Sequence, residues 1–297
     1  MGSDGESQWP LAPQGRVPVE VSHTGAAGEL VADQLLVRGA SAVAELDGGD
    51  RLVGDLEPGA VGGLQRWCAE RLPGSVVRQL EVDPAWSDSW REHAVAQRAG
   101  RVLIRPKWVE PDLPQVNHGG AEAGMPGGVT VEVVVDPEST FGSGSHPTTA
   151  MCAEILGDIV DGGERVLDVG TGSGVLAVTA LLLGAGSATG VDIDPAAERE
   201  STHCAELNGV ADRYRYSSAG LPAAGDRYDL VVANLLVGTI EELGRVLGAS
   251  LVDGGAIVLS GFLAHQRGRV LEAVGAVDDD VSWELQEGGW VAVVLRH

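Results

Sequence analysis

The sequence predicts a two-domain α/β protein, with a larger C-terminal domain built on a mostly parallel sheet and a smaller N-terminal α/β domain. Three observations predict it. The chain has 297 residues, more than one hydrophobic core usually serves. From Val166 onward, short apolar strands alternate with helical stretches, the pattern of a parallel sheet whose strands are joined by crossover helices on both faces. Between Glu110 and Gly128, several Pro and Gly residues with Asn117 and His118 carry no helical period, as in an interdomain linker. The expected organisation is a leader over 1–16, an N-terminal domain over 17–108, a linker over 109–128 and a C-terminal domain over 129–297.

The elements follow in order. Residues 1–16 are rich in Gly, Ser, Pro and Gln with little periodic apolar content, so a disordered leader is expected. Val17, Val19 and Val21 alternate as in a strand, and a helical run covers about Ala26 to Val37. Next come strand-like Ala42 to Leu46, helical Val61 to Arg71, strand-like Val76 to Val82, a Trp-rich segment from Trp86 to Arg91 and an apolar strand at Val102 to Ile104. Past the linker, Val166 to Val169 reads as a strand, Val175 to Leu183 as a helix and Ala188 to Asp192 as a second strand. A helix from Ala196 to Asn208 follows, with strands at Leu230 to Ala233 and Ala256 to Ser260. The last two strands, Val281 to Gln286 and Trp290 to Leu295, flank Gly288-Gly289, a turn so short that they must pair antiparallel.

Charge and cysteine usage narrow the function classes. A formal net charge of -23 repels polyanions over most of the surface, which argues against direct nucleic-acid binding and favours a basic protein or peptide partner. Cys68, Cys152 and Cys204 are odd in number and scattered, so they read as small hydrophobes rather than as disulfides or metal ligands, and no metal is expected. No stretch has the apolar length of a bilayer span and the start lacks the pattern of a signal peptide; a cytoplasmic protein is expected.

Four elements carry chemistry. The strand Val166-Leu167-Asp168-Val169 runs into Gly170-Thr171-Gly172-Ser173-Gly174 and then a helix, a geometry that brings backbone close to a ligand at a helix N-terminus. The dinucleotide fingerprint needs glycine where Val175 stands, so a nicotinamide or flavin is disfavoured. Asp192 ends the next strand, about 20 residues on, where an acid accepts hydrogen bonds from both ribose hydroxyls, while Asp194 before Pro195 caps the following helix. Asp168 has two readings, a contact to a ligand amino group or local bonding to backbone amides. Val231-Val232-Ala233-Asn234-Leu235-Leu236 places an amide at the carboxyl edge of the sheet, able to accept from an amine while donating to a cofactor, or else to serve as a turn residue. Ahead of these, Asp136-Pro137-Glu138-Ser139-Thr140-Phe141-Gly142-Ser143-Gly144-Ser145-His146-Pro147-Thr148-Thr149 looks like a ligand-hugging loop around one aromatic residue, Phe141, that then opens a helix. His146 invites a general-base role, but no carboxylate is spaced to orient its imidazole, so it reads as holding the loop and lining the pocket.

The spacing of the glycine loop resembles the first motif of class I methyltransferases that use S-adenosylmethionine. The whole set, Asp136 to Thr149 with Leu-Asp-Val-Gly-Thr-Gly-Ser-Gly, Val-Asp-Ile-Asp-Pro and Val-Val-Ala-Asn-Leu-Leu, resembles the PrmA family, which methylates large-subunit ribosomal protein number eleven on lysine side chains and the N-terminal amine. Asn208-Gly209-Val210, Leu259-Ser260-Gly261, Trp290, Trp86 with Trp90, and Ile104 with Trp108 extend the likeness over nearly everything from Val17 to Leu295. The resemblance implies a Rossmann-like, mostly parallel seven-stranded sheet and S-adenosylmethionine as cofactor. It implies cofactor contacts from Phe141, Thr149, Gly170, Gly172, Asp192 and Asn234, with Asn234 also as the catalytic residue and the N-terminal domain recruiting a ribosomal protein. Two rivals are carried: the same fold acting on a peptide or small natural product, and a non-catalytic cofactor-binding protein.

Overall fold

A computed structural model describes residues 16–23, parts of 28–46, 51–80, 96–110, 128–136, 146–221 and 226–296. The leader, the Trp86 to Arg91 segment, most of the expected linker and part of the expected Ala26 to Val37 helix lie outside the described residues. The chain divides into two compact units between residues 94 and 95.

The N-terminal unit holds an antiparallel sheet in the order β2-β3-β1-β4, formed by β1 (Val17–Ser22), β2 (Val43–Leu46), β3 (Arg51–Leu56) and β4 (Val76–Gln79). Val19 and Val21 of β1 and Leu52 and Leu56 of β3 bury one face against Val61, Leu64 and Cys68 of α1 (Pro58–Arg71) and against Val31 and Leu35. Alternate side chains fall on the other face, where Arg51 pairs with Glu20 and Ser22 donates to it. Strand β3 is absent from the sequence reading because Gly54 and Asp55 interrupt its apolar pattern.

The larger unit begins with a three-stranded sheet, β5 (Gln97–Ala99), β6 (Val102–Pro106) and β7 (Val131–Val135), in that order. Strands β6 and β7 run parallel, and Val102 and Ile104 share a core with Val133 and Val135. The apolar strand that the sequence reading assigned to the N-terminal domain thus belongs to the larger unit, since a parallel partner across the 109–128 segment leaves no local signal. Asn208 acts as a surrogate neighbour for β7: its Oδ1 accepts from Val134 N–H at 2.8 Å and its Nδ2 donates to Val134 C=O at 2.7 Å.

The main sheet has seven strands in the order β10-β9-β8-β11-β12-β14-β13. They are β8 (Arg165–Val169), β9 (Ser187–Val191), β10 (Tyr214–Tyr216), β11 (Tyr228–Asn234), β12 (Leu251–Leu263), β13 (Val281–Glu287) and β14 (Trp290–Arg296). The first five are parallel, and β14 joins antiparallel between β12 and β13. Period-two alternation divides the strands between two cores. Val166, Val232, Val258 and Val294 face α2 (Pro147–Ile159) and α3 (Val175–Leu183), while Leu167, Val231, Ile257 and Val293 lie in the second core with Ile240 and Leu247 of α5 (Val237–Ala249) and Val270 of α6 (Arg267–Val274). Helix α4 (Ala196–Leu207) links β9 to β10. Helix α2 is buried around most of its circumference, so it lacks the amphipathic period and only its opening was legible. Helix α5 buries Ile240, Gly244 and Leu247 on one face, an amphipathic period absent from the sequence reading, and Gly238, Gly244 and Gly248 lower its helix propensity.

All three cysteines are free and buried, and burial pushes the Cys152 and Cys204 thiols up to about 12. No helix of the described residues is long and apolar enough to cross a membrane. Among the same residues, no group of His, Cys, Asp and Glu is arranged to hold a metal ion.

Candidate functional site

The strand order reverses direction at β8 and β11: from β8 the chain steps outward through β9 to β10, from β11 the other way to β12. Open α/β sheets bind ligands outside the carboxyl ends of the strands at such a switch point. Gly170 leaves β8 there, Asp192 leaves β9 and Asn234 ends β11. In register, Val169 lies opposite Val191 on one side and Ala233 on the other, so the three sites are adjacent.

The loop after β8 turns over the end of β9. Gly170 and Thr171 N–H both donate to Val191 C=O, at 2.9 and 3.1 Å, and Gly172 N–H donates to Asp192 Oδ2 at 2.8 Å. Three residues of this turn have left-handed backbones, Gly170 at φ 74°, Gly172 at 49° and Gly174 at 80°, which explains glycine at alternate positions. A Cβ on Gly170 would come within 2.3 Å of the Leu235 side chain, so the β8 and β11 exits also pack without space for one.

Asp192 Oδ1 accepts from Asp194 N–H at 2.9 Å. Each carboxylate oxygen therefore holds one backbone amide. A carboxylate has about four acceptor sites, so capacity remains for two ligand hydroxyls. Beside it, Ile193 is fully exposed and Tyr216 Oη donates to Asp192 C=O at 3.2 Å. An apolar side chain and an aromatic ring next to a hydroxyl-binding acid suit the flat face of a nucleoside base. Sequence reasoning missed both residues; an isoleucine between two aspartates at a strand exit was the available signal.

Asp168 is almost wholly buried. Its Oδ2 accepts from Thr171 Oγ1 at 2.8 Å and from Ala177 N–H at 3.2 Å, and burial raises its pKa to about 6. Of its two readings, these bonds match the local one: the acid pins the loop to the first turn of α3.

Across the switch point, Asn234 Nδ2 donates to Thr148 Oγ1 at 3.1 Å and Thr149 Oγ1 at 3.4 Å. Both threonines open α2, whose N-cap is His146 and whose first residue is Pro147, fixed in φ for that position. His146 Nδ1 lies 2.7 Å from Thr148 Oγ1, and its ring sits edge-on to Trp290, with centroids 4.9 Å apart. Burial lowers the His146 pKa. Thr149, Gly170, Gly172, Asp192 and Asn234 thus gather at one edge of one sheet, whereas Phe141 lies outside the described residues.

The donor set fits a nucleoside with a charged amino-acid tail: a diol acceptor, an apolar wall, a glycine-rich backbone turn and an amide.

Comparison with known proteins points the same way. The family model described as "Ribosomal protein L11 methyltransferase (PrmA)" matches residues 65–297. A ribosomal protein L11 methyltransferase of Chromohalobacter salexigens is 36% identical over 242 residues, covering 80% of this chain and 77% of the relative. The protein of the same description from Edwardsiella ictaluri is 34% identical over 282 residues, covering 86% and 91%. Among solved structures, a ribosomal protein L11 methylase from Lactobacillus delbrueckii subsp. bulgaricus superposes with a TM-score of 0.51 at 25% identity, covering 66% of this chain and 93% of that one.

Proposed function

The chain belongs to the ribosomal protein L11 methyltransferase (PrmA) family, enzymes dependent on S-adenosylmethionine, and on that premise we propose that it methylates amine nitrogens of its own ribosomal protein L11. The targets are lysine side chains or the N-terminal α-amine. The observation that carries this reading is the convergence of the Asp192-bonded glycine turn and the threonine-bonded Asn234 at the switch point of the sheet.

S-adenosylmethionine supplies an electrophilic methyl carbon when bound. Asp192 takes the ribose hydroxyls on its remaining lone pairs, and the backbone of Gly170 and Gly172 lets the ligand approach with no side chain between. Thr149 lines the pocket with its hydroxyl, and the family resemblance makes Phe141 a further cofactor contact. Asn234 is the catalytic residue, accepting an N–H of the target amine. Alignment and exclusion of water do most of the work, because an amine needs only a free lone pair to react. An α-amine with a pKa of about 8 is largely prepared at physiological pH, whereas a lysine amine near 10.4 must first lose its proton.

The N-terminal unit recruits the substrate protein. A strongly acidic enzyme is matched to a basic partner and mismatched to RNA, so the ribosomal protein rather than the ribosome's nucleic acid is the partner, met in the cytoplasm. The test is incubation of the full chain with S-adenosylmethionine and L11, a short free peptide, or no substrate, followed by intact-mass spectrometry. Mass gain by L11 in whole methyl increments is expected. Methylation of the peptide as fast as L11, or no gain on either, would overturn the assignment.

A further inference from the structure

His146 is required by nothing in the scheme above, yet its imidazole is bonded to the residue that holds Asn234. We propose that the lone pair on His146 Nδ1 acts through the Thr148 hydroxyl as a positioning device, turning the oxygen end of the Asn234 amide rather than the nitrogen end toward the amine to be methylated. The inference rests on the methyl-transfer reading and deepens it.

Counting protons carries the argument. The Thr148 backbone N–H points at His146 Nδ1 at 3.4 Å, so that nitrogen holds a lone pair and not a proton. The Thr148 hydroxyl lies 2.7 Å from the same nitrogen and therefore donates to it. A hydroxyl has one proton, and this use exhausts it. Toward Asn234 the Thr148 oxygen can then only accept, so the end of the amide facing it at 3.1 Å must be Nδ2. Amide orientation, otherwise hard to distinguish from shape alone, is dictated by the partner. The opposite end, Oδ1, carries no hydrogen bond among the described residues and belongs to a partly exposed side chain at the carboxyl end of β11.

The orientation matters to the chemistry. With Oδ1 presented, Asn234 accepts an N–H of the amine and leaves the nitrogen lone pair free. With the NH2 end presented, the amide would donate to that lone pair and occupy the electrons that must form the new N–C bond. A proton on His146 Nδ1 would produce the second arrangement: it would donate to Thr148, release the hydroxyl proton toward Asn234 and turn the amide over. Two features oppose this: the Thr148 N–H is aimed at Nδ1, and burial, the one influence acting on the titration of the ring, favours its uncharged form.

Three single variants, one double variant and one spectroscopic measurement test the proposal on the full chain. His146→Asn keeps an acceptor oxygen near the Nδ1 position and a good helix cap, so it retains turnover on L11 within about threefold. His146→Phe keeps the ring against Trp290 without an acceptor; it lowers kcat about 10- to 100-fold, the scale of one misdirected hydrogen bond, while the dissociation constant for S-adenosylmethionine changes less than about twofold. Thr148→Val breaks the same relay, so adding it to His146→Phe costs little more. Equal losses in the Asn and Phe variants, wild-type turnover in the Phe variant, or additive losses in the double variant would overturn the proposal. The measurement independent of activity is nitrogen NMR on protein labelled at its seven histidines, with His146→Asn identifying the signal. A His146 ring protonated on Nε2 alone near neutral pH supports the relay, and a proton on Nδ1 sinks it even if L11 proves not to be the substrate.

Discussion

The two units of this chain bury apolar surface in different ways. The main sheet of the larger unit has a core on each face, so its central strands β8, β9, β11, β12 and β14 are largely apolar and the residues of the candidate site stand at strand ends, while β10 and β13 at the edges carry polar residues. The N-terminal sheet has one apolar face and sets Glu20, Ser22 and Arg51 on the other. In the first arrangement, chemistry concentrates where β8, β9 and β11 stop, and a few residues in sequence describe it. In the second, polar residues are spread along the strands with no point of convergence. The family match does not stop at that division: it starts at residue 65, inside α1 of the N-terminal unit, and runs to the last residue. A cofactor site is specified by loop geometry; a surface for recruiting a protein is specified by its partner.

That contrast is broken most directly by removing one region. A chain beginning at Val95 retains the three-stranded sheet, the seven-stranded sheet and Thr149, Gly170, Asp192 and Asn234. It should bind S-adenosylmethionine as the full chain does, while methyl transfer to L11 falls about 100-fold or more, because tethered recruitment raises the local target concentration toward the millimolar range. Transfer to a small free amine should be unaffected. Equal activity of both chains on L11 would show that the N-terminal unit does not recruit. A cut near Gly128, which the expected linker invites, removes β5 and β6 and uncovers Val133 and Val135, so it confounds lost recruitment with lost folding.

Within the larger unit, Asp192 sharpens the claim that binding is held at the strand ends. Asp192→Ala should weaken S-adenosylmethionine binding by about 1.5 to 3 kcal/mol, the scale of hydrogen bonds lost to a charged acceptor. The upper end is favoured because the carboxylate also fixes Gly172 and Asp194 N–H, so the turn loosens as the ligand contacts go. Calorimetry on the variant measures the loss, and an unchanged dissociation constant would remove the ribose role.

Legibility in the sequence follows the same physics. The glycine turn was readable because three left-handed positions demand glycine at fixed spacing, and Asp192 because the next strand must end beside it. Asn234 was visible as a lone amide closing an apolar strand, but its bonds to Thr148 and Thr149 join positions more than 80 residues apart, which no local pattern encodes. The edge contact between His146 and Trp290 is equally non-local. Strands β5 and β7 escaped for a different reason: segments this short give no period, and their pairing partners alone define them, whereas α5 and α6 do carry an amphipathic face that the sequence reading passed over.

The smallest effect expected concerns Asp168, whose two readings differ in what its charge does. Its pKa in the folded protein stands near 6, raised from 3.8 by burial and by the nearby charge of Asp192, and lowered in part by Thr171 and Ala177. The folded state thus binds this proton more tightly than the unfolded chain does. The stability it contributes is full below the unfolded value and is lost as pH rises through the folded one, because above it a carboxylate must remain ionised in the core. Between pH of about 5 and 7.5 that loss is on the order of 1 kcal/mol. Other groups titrate in the same range, so the measurable quantity is a difference: denaturant unfolding of the wild-type ligand-free protein at both pH values, set against Asp168→Asn, which keeps an acceptor for Thr171 and Ala177 but has no charge to bury. The wild-type protein should lose about 1 kcal/mol more than the variant on going to the higher pH. If the two proteins change in parallel, the carboxylate is not isolated in the core, and its reading as a contact to a ligand amino group regains the advantage over that of a buried pin for the loop.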